Sequence, residues 1–499
     1  MTDTLIATRA DAAEPAPAKP NPFLTGLHAP MTEELDITEL AVTGRIPAAL
    51  DGRYLRIGPN PIAADPARYH WFVGDGMVHG LRVTAGKALW YRNRWIRSNA
   101  VAAARGMDPA PGVRHGGDTV NTNVVSIAGR TFALIEAGGS PVELSDDLDG
   151  QTYNPFDGTL AGAFSAHPHL DPLTGEQHAI TYEGHQPGVL HHVVVDADAR
   201  VVRREPIMLP HAPMIHDCAI TARFVVVLDL PVAFSMRAAM AGSTFPFNWK
   251  PDQPARVGLM PRGGTQADIL WCDAPSCYAF HVVNAFDRPD GKVELDLCVY
   301  ATMFSDGALG PDAVSRGLER WTIDPETHGV TVRTIDAAPQ EFPRLDERRF
   351  GQPYRYAYAM ALPMDPADAF LGESKLYRHD LEAGTRQVHE FGAGRIPGEF
   401  VFVPKAPGSG ETEGWMVGLV IDPARDATDL VILDAADFEG EPVAAIHLPH
   451  RVPPGFHGNW IASARARDDA GRRAYRSRRP SSRSRSALSL MNPAASRWS

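Results

Sequence analysis

The stretch PMIHDCAITARFVVVLDLP, Pro213 to Pro231, carries two messages. Its second half, FVVVLDLP, is a run of β-branched, aromatic and leucine residues closed by a proline. It is too short for an ordinary helix and too uniformly apolar for a strand with one wet face, so it reads as a strand buried on both sides. Its first half sets a histidine beside an aspartate at the mouth of that strand. A titratable ring there is either hydrogen-bonded into the core or present for its chemistry.

Similar runs recur outward from this point: RTFALIEAG, HHVVVDA, KVELDLCVYA, WMVGLVIDP and DLVILDA. Each spans about five to eight residues between Gly, Pro, Asp or Asn, which is the punctuation of strands and turns. Only segments such as DAVSRGLERWTID, Asp312 to Asp324, match a helical period in part. The sequence therefore predicts an all-β fold that removes its sheet edges by closure or radial repetition. About 28 strands are needed to fill the body at ordinary strand and loop lengths, which suits a propeller of four-stranded blades better than a sandwich.

Composition bounds the rest. The chain has 499 residues, 44% apolar and 22% charged, enough to bury a large core. Its net charge of −12 is uneven, because ten arginines stand against two aspartates beyond Trp460. The body is thus more acidic than the total suggests and a poor match for a phosphate backbone, so no nucleic-acid partner is expected. The four cysteines, Cys218, Cys272, Cys277 and Cys298, fit no common zinc spacing and read as reduced thiols. The first residues lack the pattern of a secretory signal, and no run of about 18 apolar residues occurs, so a cytoplasmic protein is expected. Residues 1–22 and 462–499, rich in Ala, Pro, Arg and Ser, read as a disordered arm and tail around one domain over 23–461.

Among 19 histidines, His167, His216, His281 and His457 stand at the edges of strand-like runs among apolar or small neighbours. Their wide separations match no local metal motif. They can converge only if the fold brings several blades to one axis, so spacing permits a metal role but favours a hydrogen-bonded core or loop role.

The surrounding words are more specific. GRYLRIGPNP (52–61), YHWFVGDGMVHG (69–80), WYRNRW (90–95), AHPHLDPLTGE, IHDCAIT, FHVVNAFD, GEFVFVP and FHGNW resemble, in that order, the blocks of the carotenoid cleavage oxygenase family. The resemblance runs from about Asn21 to Trp460. It implies a seven-bladed propeller with a cap of loops and helices over an iron-bearing face, and one Fe(II) held by His167, His216, His281 and His457. It further implies that Glu136, Glu341 and Glu399 orient those imidazoles, and that Thr122 stands near an open position on the iron. The implied activity is cleavage of a double bond in a carotenoid or apocarotenoid, with an apolar polyene and dioxygen as the partners.

Two alternatives stay open at this stage. The same scaffold serves lignostilbene-type dioxygenases, which by the resemblance hold a phenol where this chain has Trp95 and Ile135; apolar residues at both places favour a polyene. A propeller that binds without turnover is the other. The segment 230–249, with Phe234, Phe245 and other large apolar side chains, is expected to form a tunnel mouth that touches a membrane, with Arg237 reaching lipid headgroups.

Overall fold

The computed structural model describes residues 20–463 apart from 184, 185, 187 and 366–369. Residues 1–19 and 464–499, most of the expected arm and tail, lie outside the described residues. At both ends the ordered body is slightly longer than expected. Asn21 is buried, caps a short 3-10 helix through Phe23 N, and donates to the carbonyls of Pro66 and Tyr69. At the other end, Ala462 belongs to the last strand and pairs with Gly52.

The fold is all-β and propeller-like. Five sheets of four or five antiparallel strands stand as separate blades, and two further four-stranded runs are merged into one eight-stranded sheet. By sheet pairing, the seven blades expected are thus seen as five separate sheets and one double one. The two halves meet edge to edge through one parallel pair, Asp273 with Gly329. The only α-helices among the described residues are Asn99–Arg105 and Met236–Met240. No helix of the described residues is long and apolar enough to cross a membrane.

The opening run forms the strand Phe224–Asp229, buried along its whole length between Cys218–Ile220 and Ala255–Pro261. Val225, Val226 and Val227 are each fully buried. At about 1.5–3 kcal/mol for a large buried side chain, such runs supply the main driving force for packing one sheet on the next. The buried Asp229 that ends the strand is satisfied by His211 Nε2 and Arg256 Nη2, both at 2.6 Å. The segment read as partly helical is instead the strand Ser315–Asp324.

Closure comes from both chain ends. The C-terminal strand Gly458–Ala462 pairs with Gly52–Pro59, and the early strand Ala41–Gly44 pairs with Ala444–Leu448. The strands that begin successive sheets pack on one another around most of the ring, so their starts lie near the axis. Four of them, His169–Leu170, Cys218–Ile220, Val282–Asp287 and Gly458–Ala462, follow His167, His216, His281 and His457 within one or two residues. Two others, Gln340–Arg344 and Ile396–Pro404, carry Glu341 and Glu399, and a seventh, Asn123–Ile127, follows Thr122.

Candidate metal centre and substrate cavity

The four histidines meet. One ring nitrogen from each of His167, His216, His281 and His457 lies within 4.8 Å of the others, and all four side chains are buried. His281 Nε2 is 3.1 Å from both His216 Nε2 and His457 Nε2. Three carboxylates fix the rings from behind. Glu136 Oε2 lies 2.5 Å from His216 Nδ1, Glu341 Oε2 2.5 Å from His281 Nδ1, and Glu399 Oε1 3.0 Å from His457 Nδ1. Each carboxylate accepts the Nδ1 proton and so leaves Nε2 as a lone pair aimed inward.

Lone pairs that face each other at this distance repel unless something positive sits among them. Imidazole nitrogens about 2.1 Å from a shared ion, at right angles to one another, lie about 3 Å apart. His167 Nε2 is buried without a hydrogen-bond partner, as expected of a ligand and costly otherwise. The donor set therefore fits a divalent transition metal that accepts nitrogen ligands.

Local electrostatics agree. Burial, reinforced by the neighbouring His216 and His457, holds His167 well below the ordinary histidine range. Burial likewise pushes His457 down to about 4, against the pull of Glu399. His281 is the exception: burial lowers it, but the adjacent Glu341 carboxylate, with Asp217 and Glu399, raises it overall. Burial also acts to raise Glu399, yet Arg344 and His457 together hold it well below the usual carboxylate range. Glu399 is the most heavily used of the three carboxylates, accepting from Arg344 Nε at 2.7 Å and Gly458 N at 2.8 Å as well.

Above the cluster lies a cavity of about 340 Å³ bordered by His216, His281 and His457. Its walls are mostly apolar and rich in aromatic rings, including Phe72, Phe245, Phe280, Phe342, Phe370 and Phe456. Thr122 and Ile135 line it as well, and Thr122 accepts a hydrogen bond from His457 N at 3.1 Å.

Two expected tunnel residues are elsewhere. Trp95 is buried beside Met77 and Val101, donates through Nε1 to Asn60 O at 2.9 Å, and does not border the cavity. Its strand, Lys87–Trp95, is the fourth from the axis in its sheet, too far out to reach the centre. Phe234 packs edge-on to Phe247 and borders a separate void of about 10 Å³, not the cavity above the cluster. Arg237 is exposed and pairs with Asp306 at the surface.

Sequence reasoning missed several residues. Tyr182 lines the cavity and donates to Glu136, so it steadies the carboxylate that holds His216. Asp217, the aspartate beside His216 at the mouth of the strand, ties the centre together. It accepts from Cys218 N at 2.7 Å, Val282 N at 2.9 Å and His169 Nε2 at 2.7 Å, joining segments next to three of the four histidines. Adjacency was the available signal: Phe280, Phe342 and Phe456 each neighbour a site residue in the chain.

Comparison with known proteins supports this geometry. The profile of the family described as retinal pigment epithelial membrane protein matches residues 28–462. The chain belongs to this family. A carotenoid cleavage oxygenase of Mycobacterium tuberculosis is 40% identical over 91% of the chain and 99% of its own length. Among solved structures, the lignostilbene dioxygenase of Pseudomonas brassicacearum superposes with a TM-score of 0.79 at 27% identity, covering 90% of this chain and all of that one. The cobalt-substituted Synechocystis apocarotenoid oxygenase does so with a TM-score of 0.76 at 27% identity, covering 89% and 99%. Family membership thus rests on nearly the whole described body and on the sequence blocks that hold the four histidines.

Proposed function

We propose that the protein is an iron(II)-dependent dioxygenase that cleaves a carbon–carbon double bond of a carotenoid or apocarotenoid. The observation that carries this reading is the convergence of four buried imidazoles, three of them oriented by carboxylates and bordering an apolar, aromatic-rich cavity. Bound there, Fe(II) would supply the electrons that dioxygen needs in order to react with a closed-shell alkene. In the overall reaction the C=C and O=O bonds break and two C=O bonds form, so the products balance without an external reductant.

The chain's own contribution is binding and exclusion. His167, His216, His281 and His457 would hold the ion, with Glu136, Glu341 and Glu399 fixing ring orientation. The aromatic walls would desolvate the polyene and set which bond lies over the centre. Thr122 would place its methyl group against one open position and leave another for dioxygen. We count the eight-stranded sheet as two blades sharing a rim contact, giving a seven-bladed propeller within a single domain.

The stilbene reading has support from the superposition with the lignostilbene dioxygenase. A phenolate, however, calls for a cationic partner, and among the described residues no lysine or arginine lines the cavity. This favours the polyene, although Trp95 no longer contributes to the argument. A peripheral membrane contact through 230–249 draws support from Met236 and Met240, which are 63% and 83% exposed on the short helix that precedes the cavity residues Thr244 and Phe245.

Anaerobic loading with Fe(II) followed by product analysis over apocarotenals, carotenoids and hydroxystilbenes tests the function. Aldehyde or ketone fragments from the polyenes are expected, and turnover confined to stilbenes would reverse the choice. Purification with no affinity for iron would leave the non-catalytic alternative. Met236→Ser with Met240→Ser should weaken co-sedimentation with liposomes; unchanged binding would end the membrane proposal.

A further inference from the structure

A second cavity, of about 250 Å³, also reaches the histidines. The two cavities lie on opposite sides of the cluster along the chain's path through the axis. The aromatic cavity is built from residues that precede the inner strands, such as Thr122, Met214, Phe280 and Phe456. The second is built largely from the inner strands themselves, through residues such as Ser126, Leu170, Val283 and Ile461. His216 borders only the first cavity, and His167 only the second. The buried, partnerless Nε2 of His167 therefore belongs to a side chain that walls the second space.

The two spaces differ in chemistry. The second cavity presents the carboxylates of Asp217, Glu399 and Glu347 against one guanidinium, Arg344. Asp217 and Glu399 are buried near the histidines, whereas the Glu347 side chain is 45% exposed and marks an opening to solvent. A cation that keeps its water shell needs about 30 Å³ per water, so six waters fit within the observed volume. Excess negative charge in a narrow polar space draws cations inward. In the aromatic cavity an ion would shed its waters with few groups to replace them, at a large desolvation cost.

We propose that the polar cavity is the path by which a hydrated divalent cation reaches the four histidines, leaving the aromatic cavity to the organic substrate. The proposal rests on the reading of the histidine cluster as a metal centre. It gives a function to Glu347, Ser126 and the space between them, none of which acts on the substrate.

The test is the rate of Co(II) uptake by metal-free full-length protein, read by metal content of rapidly desalted samples. Ser126→Trp, which fills the polar cavity, should slow uptake at least tenfold without changing the final cobalt content, while Ser126→Ala should match wild type. Leu170→Trp gives the same obstruction from another strand should Ser126→Trp fail to fold. Ile135→Trp, which narrows the aromatic cavity, should leave uptake within about twofold of wild type. Glu347→Gln should lower the rate severalfold at low salt and lose that effect at high salt. Unchanged uptake in both polar-cavity variants, or equal slowing by Ile135→Trp, overturns the route. Wild-type protein that takes up no cobalt overturns the metal centre itself, a result distinct from failure of the route.

Discussion

At the scale of single residues, the three carboxylates behind the histidines share a role but not a setting, and this separates their expected phenotypes. Glu341 accepts from His281 Nδ1 and from Phe342 N, and among the described residues no lysine or arginine pairs with it at salt-bridge distance. Glu399 also neutralises Arg344. Replacing either by Gln should weaken iron retention by about 10- to 100-fold, measured as metal content after dialysis. Only Glu399→Gln should also destabilise the metal-free protein markedly. Removing one partner of a buried pair typically costs about 3–5 kcal/mol; Arg344 keeps Glu347 and Gly458 O, so about 1–3 kcal/mol is expected, measured by urea unfolding. Trp95→Phe should lower the melting temperature through loss of the bond to Asn60 O, yet leave substrate KM unchanged. The histidines became candidates through the distinctive words around them, whereas the glutamates read as surface residues until the family resemblance placed them. Trp95, Phe234 and Asp217 were not legible, since what they touch is decided by strand position within a sheet and by segments far away in the chain.

At the scale of elements, strands were legible wherever both faces are buried, as in Phe224–Asp229, because hydrophobic identity alone suffices there. Ser315–Asp324 was obscured by a bulge: its register shifts where Val299 opposes Gly317 and Tyr300 opposes Ser315. From Arg320 onward burial alternates as a strand should, but before that point the shift breaks the alternation and imitates a longer period. Gly317 is what permits it. Its φ is +94°, and a Cβ there would stand 2.0 Å from Asp336 O. Gly317→Ala must therefore either strain the backbone or push the neighbouring strand away. We expect a loss of about 1–3 kcal/mol, or more if the bulge cannot relax, seen as a lower urea midpoint with an unchanged slope. The merger of two runs into one sheet left no trace in the sequence, because a single pair, Asp273 with Gly329, makes it.

At the scale of the whole molecule, closure of the ring buries histidines besides the four of the cluster, and their protonation couples to folding. Burial pushes His70 down to about 3, His178 to about 4 and His192 to about 3; Arg262 adds to the effect on His178, and His178 to that on His192. In the unfolded chain these rings titrate near 6.5. Between these limits the unfolded state holds more protons, so each ring's contribution is fully present above about pH 6.5 and is lost as pH falls toward 3–4. His167 and His457 in the metal-free protein act with the same sign. At about 1.4 kcal/mol per unit of difference, several such rings make acid a strong destabiliser well before most carboxylates titrate. The metal-free protein should melt about 5–10 °C lower at pH 5 than at pH 7.5. His192→Gln, which removes one such ring and keeps a polar partner for His178 Nδ1, should flatten that dependence, as scanning calorimetry across the pH series would show. A melting temperature that stays level over this range, or a steeper fall in His192→Gln, would mean that these buried rings are already satisfied in their charged form.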